Sequence, residues 1–237
     1  HFEGIDIVFH LAAESRLQPA ILNPERACYV NYIGTFNVLE ASRKHNIKKV
    51  IYSSTSSAYG LNTPPLSEDM KEDCLNPYAA TKVSAETLCK VYNNLYGLNT
   101  ITFRYFNVYG ERMPDRGQYA PVIAIFLRQI KNNEPMTIIG DGTQKRDFIH
   151  VKDVVEANIK AMYTENENVY GKVYNVGSGK NNSILNISKM IGKNYIFLPF
   201  RDGEASDNLA NIDKIKKDLQ WQPTVDLEEW LRGLDKK

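Results

Sequence analysis

Apolar and polar positions follow two rhythms along this chain, and the switches between them mark its elements. Residues 5–10 read Ile-Asp-Ile-Val-Phe-His, an almost continuous apolar run. Such runs belong to strands buried on both faces inside a parallel sheet. Asn23-Pro24 then opens a helix directed towards Lys44, and a second short buried strand covers 50–53. After a loop through Thr63-Pro64-Pro65, Asn76 and Pro77 announce another helix, Pro77 to about Tyr96. Asn is a good N-cap and Pro suits the first helical position. Residues 100–105, β-branched and aromatic, form a further strand. This alternation predicts an α/β fold built on a doubly wound parallel sheet.

Beyond Gly110 the pattern loosens. It predicts a helix over 121–131, a strand at Met136–Ile139, a tight turn at Gly140-Asp141-Gly142, a helix from Val151 to about Tyr163 and a strand at 173–176. Short helices at Ile184–Ile191, 212–219 and Leu227–Leu234 close the chain. No internal repeat, low-complexity tract or flexible linker interrupts it, so the second half reads as a smaller lobe packed on the sheet.

Composition narrows the function classes. The 237 residues suffice for one large domain or two small ones, with 43% apolar and 24% charged residues, as in soluble globular proteins. A formal charge of +1 gives no electrostatic case for nucleic acid or an anionic membrane surface. No apolar run approaches the roughly 20 residues of a membrane helix. Cys28, Cys74 and Cys89 are odd in number and lack metal-ligand spacing, which points to a reducing cytosol. The four histidines have no clustered carboxylates beside them, so no metal site is expected. The run Arg43-Lys44-His45 and Lys214, Lys216 and Lys217 read as solvated helix faces.

The chemistry concentrates at Tyr78-Ala79-Ala80-Thr81-Lys82, taken with Ser53-Ser54-Thr55 at the end of the preceding strand. Tyr and Lys four apart share one helix face. A free phenol has a pKa of about 10, and a fixed ammonium beside it favours the phenolate. Lowering it by about 3 pH units corresponds to roughly 4 kcal/mol. Tyr78 is therefore a candidate acceptor for the proton of an alcohol, with Thr55 as its hydrogen-bonding partner. The strand end is also where ligands sit in parallel sheets.

Further segments accompany these in a recognisable order. They are His10-Leu11-Ala12-Ala13-Glu14-Ser15, Asn31-Tyr32-Ile33-Gly34-Thr35, Ser53-Ser54-Thr55-Ser56-Ser57-Ala58-Tyr59-Gly60 and Arg104-Tyr105-Phe106-Asn107-Val108-Tyr109-Gly110. Gly140-Asp141-Gly142, Arg146-Asp147-Phe148-Ile149-His150-Val151 and Arg201-Asp202-Gly203-Glu204 follow. Together they cover nearly the whole chain, which resembles the extended short-chain dehydrogenase/reductases, specifically their nucleotide-sugar epimerase/dehydratase branch. Members of that family open with a strand and a Gly-x-x-Gly-x-x-Gly turn that seats the cofactor pyrophosphate. This chain starts at His1, already within a few residues of a buried strand. The resemblance thus implies roughly sixty preceding residues, about two βα units, and an edge left open along 5–10. It divides the chain into a partial NAD-binding Rossmann domain, 1–110, and a lobe, 111–237, that mainly binds the nucleotide sugar.

The resemblance also implies residue roles. Leu11, Ala12, Ala13, Asn31, Ser53, Ser54 and Tyr105 would line or orient NAD. Lys82 would contact the nicotinamide ribose and lower the pKa of Tyr78. Thr55, Ser57, Asn107, Gln118, Tyr119 and Asn208 would contact the substrate. Arg146 and Arg201 would clamp its diphosphate through guanidinium forks, and Glu204 would accept from the nucleotide ribose. His150 is read as structural.

Dehydratases of this superfamily follow the threonine with acidic residues, whereas Thr55 precedes Ser56-Ser57-Ala58. The expected reaction is therefore 4-epimerisation of a UDP-hexose or UDP-N-acetylhexosamine. Tyr78 takes the 4-hydroxyl proton, hydride leaves carbon 4, the keto sugar turns, and hydride returns to its other face. Asn208 stands where related epimerases carry a bulky tyrosine or a smaller residue, leaving room for an N-acetyl group. A 4,6-dehydratase or decarboxylase, a reductase, and a non-catalytic nucleotide-sugar binder remain open alternatives. By analogy a cytoplasmic homodimer is expected.

Overall fold

Residues 1–200 and 207–234 are described in the computed structural model. In chain order the first half comprises β1 (Ile7–His10), α1 (Leu17–Leu22), α2 (Pro24–Ala27), α3 (Gly34–Lys44), β2 (Lys49–Thr55), α4 (Pro77–Tyr96), β3 (Asn99–Tyr105) and β4 (Asn107–Tyr109). There follow α5 (Val122–Lys131), β5 (Met136–Ile139), β6 (Lys145–His150), α6 (Val151–Tyr163), β7 (Lys172–Val176) and β8 (Asn181–Ser183). The last elements are α7 (Ile184–Ile191), β9 (Tyr195–Leu198), α8 (Asp213–Leu219) and α9 (Leu227–Leu234).

Every residue of β2 is buried, the mark of an interior strand in a parallel sheet. The main sheet has the order β1-β2-β3-β7, with all three pairings parallel. Among the described residues β1 and β7 are its edge strands, and Phe9 is exposed on β1. Register pairs Thr55 with Tyr105 across β2 and β3, so both candidate residues stand together at the carboxyl ends of the strands. Smaller sheets β4-β6-β8 and β5-β9 complete the molecule.

Helix α4 carries its own start and stop signals. The Asn76 side chain accepts from the Ala79 N–H at 2.9 Å, Pro77 follows at the first position, and Gly97 closes the helix at φ +68°. That left-handed conformation costs glycine no Cβ clash. One core cluster, including Leu39, Tyr52, Ala85 and Cys89, packs α3 and α4 against the sheet. Another, including Ile51, Ile101, Phe103, Tyr174 and Trp221, fills the opposite side. A third, with Phe126, Phe148, Ile184 and Leu231, is the core of the second half.

Several elements differ from the expectations. The helix expected from Asn23 to Lys44 is interrupted at Cys28–Ile33 by a wider turn, where the Gly34 N–H reaches the Tyr29 carbonyl five residues back. Such widened turns recur at functional sites, and Asn31 is wholly buried in this one. Helix α1 has no side-chain cap and contains Pro19, so it sends no start signal. Strands β4, β6, β8 and β9 were not expected; β8 reads Asn-Asn-Ser and is held by pairing with β6 rather than by an apolar face.

Candidate functional site

Strand β2 ends at Thr55, whose hydroxyl oxygen accepts from the Ser57 N–H at 3.1 Å and so starts the short helical turn Ser56–Tyr59. The first turn of α4 brings Tyr78 to this point. Its phenol is buried and hydrogen-bonded to Thr55. Burial pushes the phenol pKa up, while the Thr55 hydrogen bond and the positive charge of Arg16 pull it down. Thr55 and Tyr78 thus meet as the sequence predicts.

Lys82 follows one turn after Tyr78 on α4. It is only 2% exposed, and its ammonium lies over the Tyr52 ring, 4.2 Å from the centroid. Burial lowers its pKa to about 8, with Cys89 and Glu86 acting in the opposite sense. No described carboxylate forms an ion pair with it. The face of Tyr52 supplies it with a cation–π partner inside the core.

Beside this pair, the loop leaving β1 forms a shelf. Leu11 is 61% exposed, Ala12 is exposed and Ala13 part-exposed. Asn31 clamps the loop. Its amide donates to the Glu14 carbonyl and to the Thr81 hydroxyl, both at 3.0 Å, and its oxygen accepts from the Glu14 N–H at 2.7 Å. Ser53 donates to the Tyr105 hydroxyl at 3.3 Å, and Asn158 donates to the same hydroxyl at 2.8 Å. Ser54 donates to the Glu86 carboxylate, which also pairs with the buried Arg104 at 2.7 Å. An open small-residue shelf at a strand end, near a buried ammonium without a carboxylate partner, fits the nicotinamide ribose end of a dinucleotide. Ser54 fits it less directly, because Glu86 already engages its hydroxyl.

A cleft of about 1040 Å³ opens against Thr55 and Tyr78. That is the upper range of ligand sites and ample for a nucleotide sugar. Ser57, Asn107, Gln118, Tyr119, Arg146 and Asn208 also line it. Asn107 donates to the Asp147 carbonyl at 2.8 Å and to the Asn208 side-chain oxygen at 3.3 Å. Asn208 in turn donates to Ser56 at 3.3 Å, tying the second half to the turn after Thr55. Arg146 donates to its neighbour's carbonyl, Lys145 O, at 2.9 Å. Next to it the buried Asp147 carboxylate accepts from the N–H groups of Ser178, Gly179 and Ala210 and from the Ser178 hydroxyl, at 2.7–3.1 Å. Arg201 and Glu204 lie outside the described residues.

His150 is fully buried and caps α6, its Nδ1 accepting from the Lys152 N–H at 3.2 Å. Arg16, which lines the cleft, and the nearby buried Glu14 were not singled out from sequence. Glu14 accepts from Arg26 Nε at 2.7 Å and from the Tyr119 hydroxyl, and Arg16 donates to the Tyr119 carbonyl. Their position in the loop after a parallel strand is the signal that marks them. Among the described residues no group of three His, Cys, Asp or Glu side chains could hold a metal, and no helix is long and apolar enough to cross a membrane.

Comparison with known proteins agrees with this geometry. The chain is 37% identical to the UDP-glucuronate 4-epimerase of Thermodesulfobacterium geofontis, over 97% of this chain and 71% of that protein. It superposes on the UDP-N-acetylglucosamine 4-epimerase of Methanobrevibacter ruminantium in complex with UDP-N-acetylmuramic acid, with a TM-score of 0.91 and 36% identity, covering 98% of this chain and 76% of that one. The UDP-glucuronic acid 4-epimerase of Bacillus cereus, in complex with UDP-glucuronic acid and NAD, gives a TM-score of 0.87 and 34% identity, covering 96% and 73%. A profile of the NAD dependent epimerase/dehydratase family matches residues 1–177. With that match, and with the parallel sheet, the Thr55–Tyr78 contact and the adjoining shelf and cleft, the chain belongs to the NAD dependent epimerase/dehydratase family.

Proposed function

We propose that this chain is an NAD-dependent 4-epimerase of a UDP-hexose or UDP-N-acetylhexosamine. The observation that carries this reading is the hydrogen bond between Thr55 and Tyr78 at the wall of a cleft of nucleotide-sugar size. The relatives named above, all 4-epimerases of UDP-sugars by their names, support it.

In this reading Thr55 orients the sugar 4-hydroxyl and Tyr78 accepts its proton as carbon 4 is oxidised. NAD, when bound, supplies the redox chemistry by accepting a hydride from carbon 4 and returning it to the opposite face. Leu11, Ala12, Ala13, Asn31, Ser53, Ser54, Lys82 and Tyr105 hold and orient the cofactor. Asn107, Ser57, Gln118 and Tyr119 contact the substrate, Arg146 with Arg201 its diphosphate, and Glu204 its ribose. Tyr78 then donates the proton back, so protein and cofactor return to their starting states. After Thr55 the chain runs Ser56-Ser57-Ala58, with no acid–base pair for elimination. Asn208, held by Asn107 and Ser56, leaves space for an N-acetyl group.

The finer expectations of a cytoplasmic homodimer belong to the same proposal. Cys28, Cys74 and Cys89 are free thiols, as in reducing compartments. Phe36 on α3 and Val91, Leu95 and Tyr96 on α4 are exposed apolar side chains suited to a partner.

The test is product analysis by proton NMR after incubating the NAD-loaded protein with UDP-glucose and with UDP-N-acetylglucosamine. Both carbon-4 epimers should form without net release of reduced cofactor. Accumulation of a 4-keto sugar or a pentose would replace the epimerase reading with a dehydratase or decarboxylase. Strict refusal of the acetylated sugar would remove the role given to Asn208.

A further inference from the structure

Arg104 and Glu86 form a buried ion pair that the reaction as described does not use. Arg104 stands on β3 and is 1% exposed, and Glu86 lies on α4 and is 6% exposed. Arg104 Nη2 donates to Glu86 Oε2 at 2.7 Å, and Nε is 3.1 and 3.2 Å from the two carboxylate oxygens. Nη2 also donates to Glu72 Oε1 at 2.9 Å, in the segment that leads to α4. The guanidinium carbon lies 4.8 Å from the centroid of the Tyr59 ring. Burying both charges carries a desolvation penalty that an apolar pair of similar volume would avoid. Stability alone is therefore a weak reason for the pair, and its position offers a better one.

Its contacts fall on the segments that carry the reacting groups. The Ser54 hydroxyl, one residue before Thr55, donates to Glu86 Oε1. Tyr59 ends the short turn that Thr55 starts, and its hydroxyl donates to Asn175 on β7 at 2.6 Å. The chain is thus gripped on both sides of Thr55. Across the sheet Ser54 is in register with Arg104, as Thr55 is with Tyr105. On α4, Tyr78, Lys82 and Glu86 recur every four residues and share one face. One carboxylate therefore belongs to the helix of Tyr78 and holds the strand of Thr55.

We infer that Glu86 is a positioning residue for the reaction: its carboxylate, oriented by Arg104, takes the Ser54 hydroxyl and fixes the end of β2 against α4, so that Thr55 stays within hydrogen-bonding reach of Tyr78. This rests on the reading that Thr55 and Tyr78 act on the sugar hydroxyl. The guanidinium fork restrains the carboxylate plane, which keeps Oε1 aimed at Ser54. A displacement of reacting groups by about 1 Å can cost about 10² in rate, so a contact remote from the sugar can set turnover. The Ser54 hydroxyl proton is committed to Glu86, which leaves its lone pairs and its backbone for the cofactor.

The experiment combines steady-state kinetics of the NAD-loaded protein on UDP-glucose and UDP-N-acetylglucosamine with carbon-13 NMR of the Tyr78 ring carbon bearing oxygen, identified by its loss in Tyr78→Phe. Ser54→Ala leaves the Arg104–Glu86 pair intact and removes the tie. It should lower kcat about ten- to thirtyfold, with KM for the sugar nucleotide and affinity for NAD within about twofold of wild type. The Tyr78 resonance should shift as the Thr55 hydrogen bond loosens. Glu86→Gln keeps an acceptor for Ser54 but loses the charged fork, so kcat should fall in the same sense and by less. Both changes act through one contact, so the double variant should be slower than Ser54→Ala by no more than about twofold. Should Glu86→Gln not fold, Ser54→Ala decides the matter. Unchanged kcat in Ser54→Ala, with or without weaker NAD binding, would overturn the proposal. A lowered urea midpoint in Glu86→Gln with wild-type kcat would also overturn it and make the pair a matter of stability. Additive losses in the double variant would do the same, since the two residues would then act separately. If the wild type epimerises neither sugar, the functional reading fails, while the Tyr78 resonance in Ser54→Ala still reports on the positioning.

Discussion

Tyr78 is under two opposed influences, burial favouring its neutral form and Thr55 with Arg16 favouring its anion. Replacing it separates chemistry from packing. In Tyr78→Phe the ring still packs against Ala20, Ala27 and Leu17, so the fold should persist. What disappears is the titratable oxygen hydrogen-bonded to Thr55. The kcat for epimerisation should fall about 10²- to 10⁴-fold with KM little changed, the signature of a lost acid–base group. Steady-state kinetics alongside circular dichroism checks this, and a mere twofold loss would contradict it. The Tyr-x-x-x-Lys spacing and the Asn76-Pro77 cap were enough to place Tyr78 on the first turn of α4. They could not reveal what surrounds the pair: the Tyr52 ring, from a neighbouring strand, lies under the Lys82 ammonium, and Arg16 comes from a separate loop. Local spacing reports neighbours along one element and is silent about side chains delivered from others.

The same limit governs the elements. In the first half β1, β2, β3 and α4 were legible from short apolar or β-branched runs and from the two caps of α4, whereas α1, β4 and the widened turn at Cys28–Ile33 were not. In the second half β6 opens with Lys-Arg-Asp and β8 is Asn-Asn-Ser, so their strand character comes from pairing partners that no periodicity reveals. Element ends show how such tertiary ties are made. Lys49 opens β2, is buried, and donates from Nζ to the carbonyls of Ala161, Met162 and Thr164 at 2.8, 2.9 and 3.0 Å. These are orphan acceptors at the carboxyl end of α6, where a cation also suits the helix dipole. Lys49→Met keeps the aliphatic stem and removes the donors, so it should cost about 1.5–3 kcal/mol of stability. Lys49 lies at the opposite end of β2 from Thr55, roughly 20 Å away by strand rise. The unfolding midpoint in urea should therefore drop while kcat and KM at low temperature stay near wild type. Unchanged stability would mean that water satisfies those carbonyls equally well.

At the scale of the whole molecule, one buried histidine joins the sheet edge, the widened turn and the reaction centre. His10 ends β1, and its Nε2 is 2.9 Å from the Thr35 hydroxyl, which itself donates to the Asn31 carbonyl at 2.6 Å. The Thr35 proton is thus committed, so His10 is the donor and Nε2 carries hydrogen. Asn31 in turn clamps the loop at Glu14 and reaches Thr81 on α4. Burial, and after it the Lys82 charge, lower the His10 pKa from 6.5 to about 4. The unfolded chain therefore takes up a proton as pH falls through 6.5, whereas the native state refuses it until about 4. Over that window the unfolded state binds more protons, so acid draws the equilibrium towards it. Stability attributable to this residue is full above pH 6.5, declines between 6.5 and 4, and then levels off. The span corresponds to about 3 kcal/mol. His10→Gln, which retains a donor for Thr35 without a titratable ring, should flatten that part of the pH–stability curve. Urea unfolding at neutral pH and near pH 4.5 decides the matter: a wild type and a variant losing the same stability on acidification would show that the histidine is not the group responsible.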